Sequence, residues 1–118
     1  MIKIVNKHWH KSTADDVYAG RGSPFGNPYS HLPNSKAEFK VATREEAIEK
    51  YLPWFEKQRM NDAVLYQGLQ HLIHIVANGG NLNLVCYCAP AACHCQHIKN
   101  YLEDVLRDIK IQEENGIG

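Results

Sequence analysis

Leu82-Asn83-Leu84-Val85-Cys86 is a short, mostly apolar run with only imperfect alternation, the pattern of a strand buried on both faces. A helical stripe stands on each side of it. Upstream, Leu65, Leu69, Leu72, Ile73 and Val76 recur at helical spacing, and Gly79-Gly80 supplies a C-terminal stop. Downstream, Ile98, Tyr101, Leu102, Val105, Leu106 and Ile109 form the cleanest stripe in the chain. Two further strands are predicted, at residues 2–5 and around Val17-Tyr18-Ala19. Strands separated by helices predict a small α/β layer fold with a short, mostly parallel sheet. In such sheets ligands bind beyond the carboxyl ends of the strands.

A further helix begins at Thr43-Arg44-Glu45-Glu46, a capping box. Ala47, Ile48, Tyr51, Leu52 and Phe55 follow as its apolar face. Pro53 interrupts it, which predicts a kink or a fresh helix start there. Residues 29–42 read as irregular, and the tail from Glu113 to Gly118 as a fraying end.

The chain has 118 residues, the size of one domain, so residues 1–118 are expected to form a single α/β domain. Lys and Arg number 13, as do Asp and Glu, giving no formal net charge. That balance argues against a dedicated non-specific DNA binder, whose affinity comes from neutralising phosphates, though it leaves room for a local basic patch. No segment approaches the roughly 20 apolar residues of a membrane span. Residues 1–7 do not make a signal peptide, so the expected location is cytoplasmic, with no membrane partner.

Cys86, Cys88, Cys93 and Cys95 lie within one short stretch. A secreted disulfide framework spreads its cysteines to staple distant loops; clustering points to reduced thiols or a metal. Zinc takes four sulfur or nitrogen ligands in a tetrahedron. On a straight strand the Cys86 and Cys88 sulfurs would share a face about 7 Å apart, so both reach one ion only if the chain bends at Tyr87. Cys93 and His97 form an i, i+4 pair able to chelate. A site of Cys86, Cys88, Cys93 and His97 is one reading. Thiol chemistry is another, with Cys93 and His94 near a helix start that stabilises a thiolate. Plain packing of buried cysteines is the third.

Gly20-Arg21-Gly22-Ser23-Pro24-Phe25-Gly26-Asn27-Pro28 is a loop rich in glycine and proline that follows a predicted strand. Its backbone amides at Gly20 and Gly22 could approach a phosphate closely, with Arg21, Ser23 and Asn27 adding contacts. It lacks the Gly-Lys-Ser/Thr of a P-loop and opens no evident helix, so neither that motif nor the dinucleotide fingerprint applies. A rigid surface turn is the competing reading. Both unusual loops follow strands, so they are expected to meet at one sheet edge.

Read together, these segments resemble a known family. Residues 17–28, Thr43-Arg44-Glu45-Glu46-Ala47-Ile48, Leu84-Val85-Cys86-Tyr87-Cys88-Ala89-Pro90 and Cys93-His94 resemble a bacterial and phage family catalogued as domain of unknown function 4326 (DUF4326). The resemblance runs from about Val17 to about Leu106. Its pattern has an aromatic between the first two cysteines, matched by Tyr87, and a Cys-His pair, matched by Cys93-His94. Small or acidic residues then follow, where this chain has Cys95 and His97. For a family-type metal the resemblance therefore implies Cys86, Cys88, Cys93 and His94. It also implies a three-layer, Rossmann-like arrangement with about three helices, by analogy with nucleotide-handling proteins.

Three functional expectations follow. The first is binding of a nucleotide or nucleotide-derived phosphate at the Gly-Arg-Gly-Ser loop, facing the Cys/His cluster. Hydrolysis or group transfer could accompany it, with Cys93 as nucleophile and His94 as base or acid. The second is a zinc-stabilised, non-catalytic interaction module. The third is a phage-type protein that sequesters a nucleotide without turnover. Lys7-His8-Trp9-His10-Lys11 interleaves bases and aromatics as single-strand binders do, but reads first as a solvated strand end.

Overall fold

A computed structural model describes residues 1–35 and 37–115. The elements run β1 (Ile2–Asn6), β2 (Asp16–Tyr18), β3 (Tyr29–Ser30), β4 (Phe39–Lys40), α1 (Arg44–Asn61), α2 (Ala63–Ala77), β5 (Leu82–Cys86) and α3 (Cys95–Asn115). The fold is mixed α/β, with three helices and a short parallel sheet among the described residues.

β5 is the central strand, flanked by β1 and β2, and both pairings are parallel. Asn6 is in register with Cys86 and Tyr18 with Val85. The carboxyl ends of all three strands therefore reach one edge. Leu82, Leu84 and Cys86 are enclosed, as the apolar run requires. They pack in one core with Leu65, Leu69 and Leu72 of α2, Ile98 and Leu102 of α3, and Tyr51 and Phe55 of α1. Each large apolar side chain buried this way contributes about 1.5–3 kcal/mol.

Thr43 caps α1, its hydroxyl accepting from the Glu46 amide at 3.0 Å. The Glu46 carboxylate reaches back to the Ala42 amide at 3.3 Å, one residue before the cap. α1 continues through Pro53 to Asn61 as one helix, not as two. Pro53 and Glu49 are both exposed, so water can satisfy the Glu49 carbonyl that the missing N–H leaves free. Leu52, expected on the buried face, is 39% exposed. Asp62 separates the two helices, its carboxylate accepting from the Val64 and Leu65 amides at 2.9 and 3.2 Å.

The segment expected to be irregular contains a small parallel ladder, β3 with β4. α3 extends through Glu113 and Glu114 to Asn115; residues 116–118 of the expected fraying tail lie outside the described residues. No helix among the described residues is long and apolar enough to cross a membrane.

Candidate ligand pocket and thiol cluster

β2 ends at Tyr18 and the chain enters the glycine-rich loop. Ser23 closes it twice, through its amide and its hydroxyl, which donate to the Gly20 carbonyl at 3.1 and 2.7 Å. The Gly26 amide donates to the Ser23 carbonyl at 3.1 Å. A Cβ on Gly26 would lie 2.7 Å from the Gly20 carbonyl oxygen, so only glycine permits this approach. Phe25 anchors the loop in the core, its ring so close to Gly68 of α2 that a Cβ there would meet it at 2.9 Å. Asn27 is buried; its amide donates to the Ala47 carbonyl at 2.9 Å, and its side-chain oxygen accepts from the Tyr29 amide at 3.0 Å. The hydroxyl of Ser23 is thus spent on the loop itself, and the side chain of Asn27 ties the loop to α1 and β3. Arg21 is exposed and donates one Nη to the Asn27 carbonyl at 2.7 Å.

β5 ends at Cys86 and enters the cysteine loop, which contains a cis Ala89-Pro90 peptide. Two elements hold this loop. Asn6 donates its amide to the carbonyls of Tyr87 and Ala89 at 3.2 and 2.7 Å. Arg44, at the start of α1, donates to the Ala92 carbonyl at 2.6 Å.

The two loops meet. A cavity of about 330 Å³ lies between them, lined on one side by Gly20, Arg21 and Asn27 and on the other by Cys86, Cys88, Cys93 and His94. Gly22 and Ser23 are outside its lining, whereas Arg44 and the rings of Tyr18, Tyr29 and Tyr87 are part of it. Neither Arg21 nor Arg44 meets a carboxylate among the described residues.

The thiols converge below this cavity. The sulfurs of Cys86, Cys93 and Cys95 all lie within 4.8 Å of one another, a group that could hold a metal ion. Cys86 and Cys93 are 3.5 Å apart. Cys88, half-buried, faces Cys86 and Cys93, whose side chains and its own burial keep its thiol protonated far above the ordinary range. Cys86 is driven the other way, because the Cys88, Cys93 and Cys95 thiols all donate toward it. All four cysteines are free.

The two histidines are placed differently. His94 is buried, bonded through Nε2 to the Ala19 carbonyl at 2.7 Å, and packed at a tilt of 39° against Tyr51 with ring centroids 4.9 Å apart. Burial lowers its pKa, so the neutral form is favoured, with Nε2 carrying the proton given to Ala19. His97 turns to the Ile48 carbonyl, with Nε2 3.1 Å from it. Cys95 joins the thiols; its position as the first residue of a helix, two residues from Cys93, gave no sign of this. Arg44 and Asn6 also carried no sequence signal for the site, since each reaches a carbonyl far along the chain. In the basic and aromatic segment 7–11, Trp9 is 79% exposed.

The sequence model of a family described as a domain of unknown function, DUF4326, matches residues 2–104. No curated protein and no solved structure matches the chain.

Proposed function

The chain belongs to the DUF4326 family, and we propose that it binds a small phosphate-bearing ligand of nucleotide type in the cavity between loops 20–28 and 86–95. One observation carries this reading: Arg21 and Arg44 both line the cavity, and neither meets a carboxylate among the described residues. Each is held by a backbone carbonyl through one nitrogen, which leaves the rest of a planar fork for an anion. Tyr18 and Tyr87 line the same cavity and add aromatic side chains, a residue type suited to contact with a base. Its volume, about 330 Å³, is at the small end of ligand cavities and suits a mononucleotide better than a dinucleotide. A Rossmann-like layering would put such a ligand where the strands end, as this cavity is.

Binding without chemistry fits better than hydrolysis. The Cys93 sulfur is taken up in the buried thiol group, 3.5 Å from Cys86, and His94 spends its Nε2 proton on Ala19. Cys93 and His94 then serve as wall, not as nucleophile and base. A sequestering role is the natural form of such binding, and a reducing, cytoplasmic setting suits four free thiols.

The test is calorimetric titration with adenosine and guanosine monophosphates and with inorganic phosphate. Arg21→Ala and Arg44→Ala should each weaken the best of these about ten-fold or more, the worth of a charge-assisted hydrogen bond. Arg44→Lys keeps the charge and controls for loosening of the Ala92 contact. Unchanged affinity in both alanine variants overturns the reading. Turnover of the nucleotide would restore the catalytic one.

A further inference from the structure

The four thiols form a feature separate from the arginine-lined wall. Three of them are buried, at 0–4% exposure, and share one small volume with every sulfur pair within 4.8 Å. The arrangement is built from two elements: Cys86 closes the central strand, and Cys95 opens α3. Cys93 sits between them on the returning loop, 3.5 Å from Cys86. Cys88 lines the same cavity as Cys86 and Cys93, two residues past the end of the strand.

We infer that Cys86, Cys88, Cys93 and Cys95 bind one zinc ion as a four-sulfur site at the floor of the cavity. Tetrahedral zinc with Zn–S near 2.3 Å places its sulfurs about 3.8 Å apart, within the 3.5–4.8 Å spread of the buried three. An iron–sulfur cluster needs wider spacing, because ligands on different irons are separated by the body of the cluster. The chain bends at Tyr87, the condition a straight strand does not meet for Cys86 and Cys88 to reach one ion. The histidines stay outside. His94 gives Nε2 to Ala19 and His97 gives Nε2 to Ile48. Each ligating thiol releases its proton to solvent on binding. A zinc tetrathiolate is a dianion, and Arg21 and Arg44 line the same cavity.

The full chain, purified without chelator, should carry one zinc by elemental analysis and native mass. Its thiols should resist alkylation until the metal is stripped. Cobalt loaded into the stripped wild-type chain should give sulfur-to-cobalt charge-transfer bands and the strong visible bands of a tetrahedral site. Cys95→Ser and Cys88→Ser should each reduce charge-transfer intensity. Each should also weaken zinc by more than the roughly 10–100-fold that loss of an outer partner costs. A wild-type chain that binds neither zinc nor cobalt, or isolates with Cys86 and Cys93 joined as a disulfide, overturns the site. Iron in place of zinc overturns the choice of metal. An unchanged cobalt spectrum in Cys95→Ser overturns the four-sulfur set. Phosphate titration is run on the zinc-loaded and stripped chains separately, so that failure of one reading is not taken for failure of the other.

Discussion

Asn6, the last residue of β1, donates its side-chain amide to the carbonyl of Ala89 at 2.7 Å, across 83 positions of sequence. A second bond from the same amide reaches Tyr87 at 3.2 Å. One edge-strand residue therefore fixes the loop that carries the thiols. Asn6→Ala should cost about 1–3 kcal/mol, since it strips two carbonyls of their donor. Urea denaturation measures this, and Cys88, the half-buried thiol on that loop, should alkylate faster in the metal-free variant. An unaltered midpoint would mean that water replaces the amide without loss.

Tyr51 plays the same part for the other loop. Its buried hydroxyl donates to the Phe25 carbonyl at 2.7 Å. Burial pushes the phenol well above its ordinary value, so it remains a donor throughout the accessible pH range. Tyr51→Phe keeps the ring against His94 and Phe55 but leaves that carbonyl without this donor. The expected cost is about 1–3 kcal/mol, read by thermal or chemical denaturation.

Gly22 and Gly26 should respond oppositely to alanine. Gly22 has φ +95° and faces open space, so Gly22→Ala pays only backbone strain of about 1–2 kcal/mol, and phosphate binding should survive. Gly26→Ala drives a methyl against the Gly20 carbonyl oxygen at 2.7 Å and must open the loop that positions Arg21. The second variant should lose phosphate affinity as well as stability. Equal affinity in the two would detach the loop from the ligand.

Asp16 sets an acid limb to stability. The Asn83 amide above all, with the Thr13 amide and hydroxyl and the His10 ring, holds its carboxyl well below the ordinary carboxylate value. The folded chain then binds this proton more weakly than the unfolded chain does. The stabilisation is complete above the unfolded pKa of about 3.9 and is lost as pH falls below it. Asp16→Asn should lower the melting temperature at neutral pH. The gap from wild type should narrow on acidification below about pH 4, as melting scans across that range would report. A gap that is constant with pH would assign the effect to packing.

Much of the fold was legible in local pattern. The β5 run, the α2 and α3 stripes, the Thr43 cap and the stop at Gly79 each depend on residues two to four places apart, and each stands where the pattern put it. The choice at Pro53 between one helix and two depended on solvent reaching the Glu49 carbonyl, which no local pattern records. The β3–β4 ladder was missed because two-residue strands carry too few side chains to show a period.

The site divides along the same line. Its chemistry was written in the sequence: four clustered thiols, an arginine in a glycine-rich loop, and strands whose ends such loops follow. Tertiary structure alone decided which groups converge. It drew Cys95 into the thiol group and turned His97 toward Ile48; it brought Arg44 to the cavity, spent Ser23 within its own loop and tied Asn27 to α1. The reason is physical. Periodicity and capping are set by backbone geometry over a single turn or pleat. The meeting of a β5 sulfur with the start of α3, or of α1 with the cysteine loop, is set by how distant segments pack.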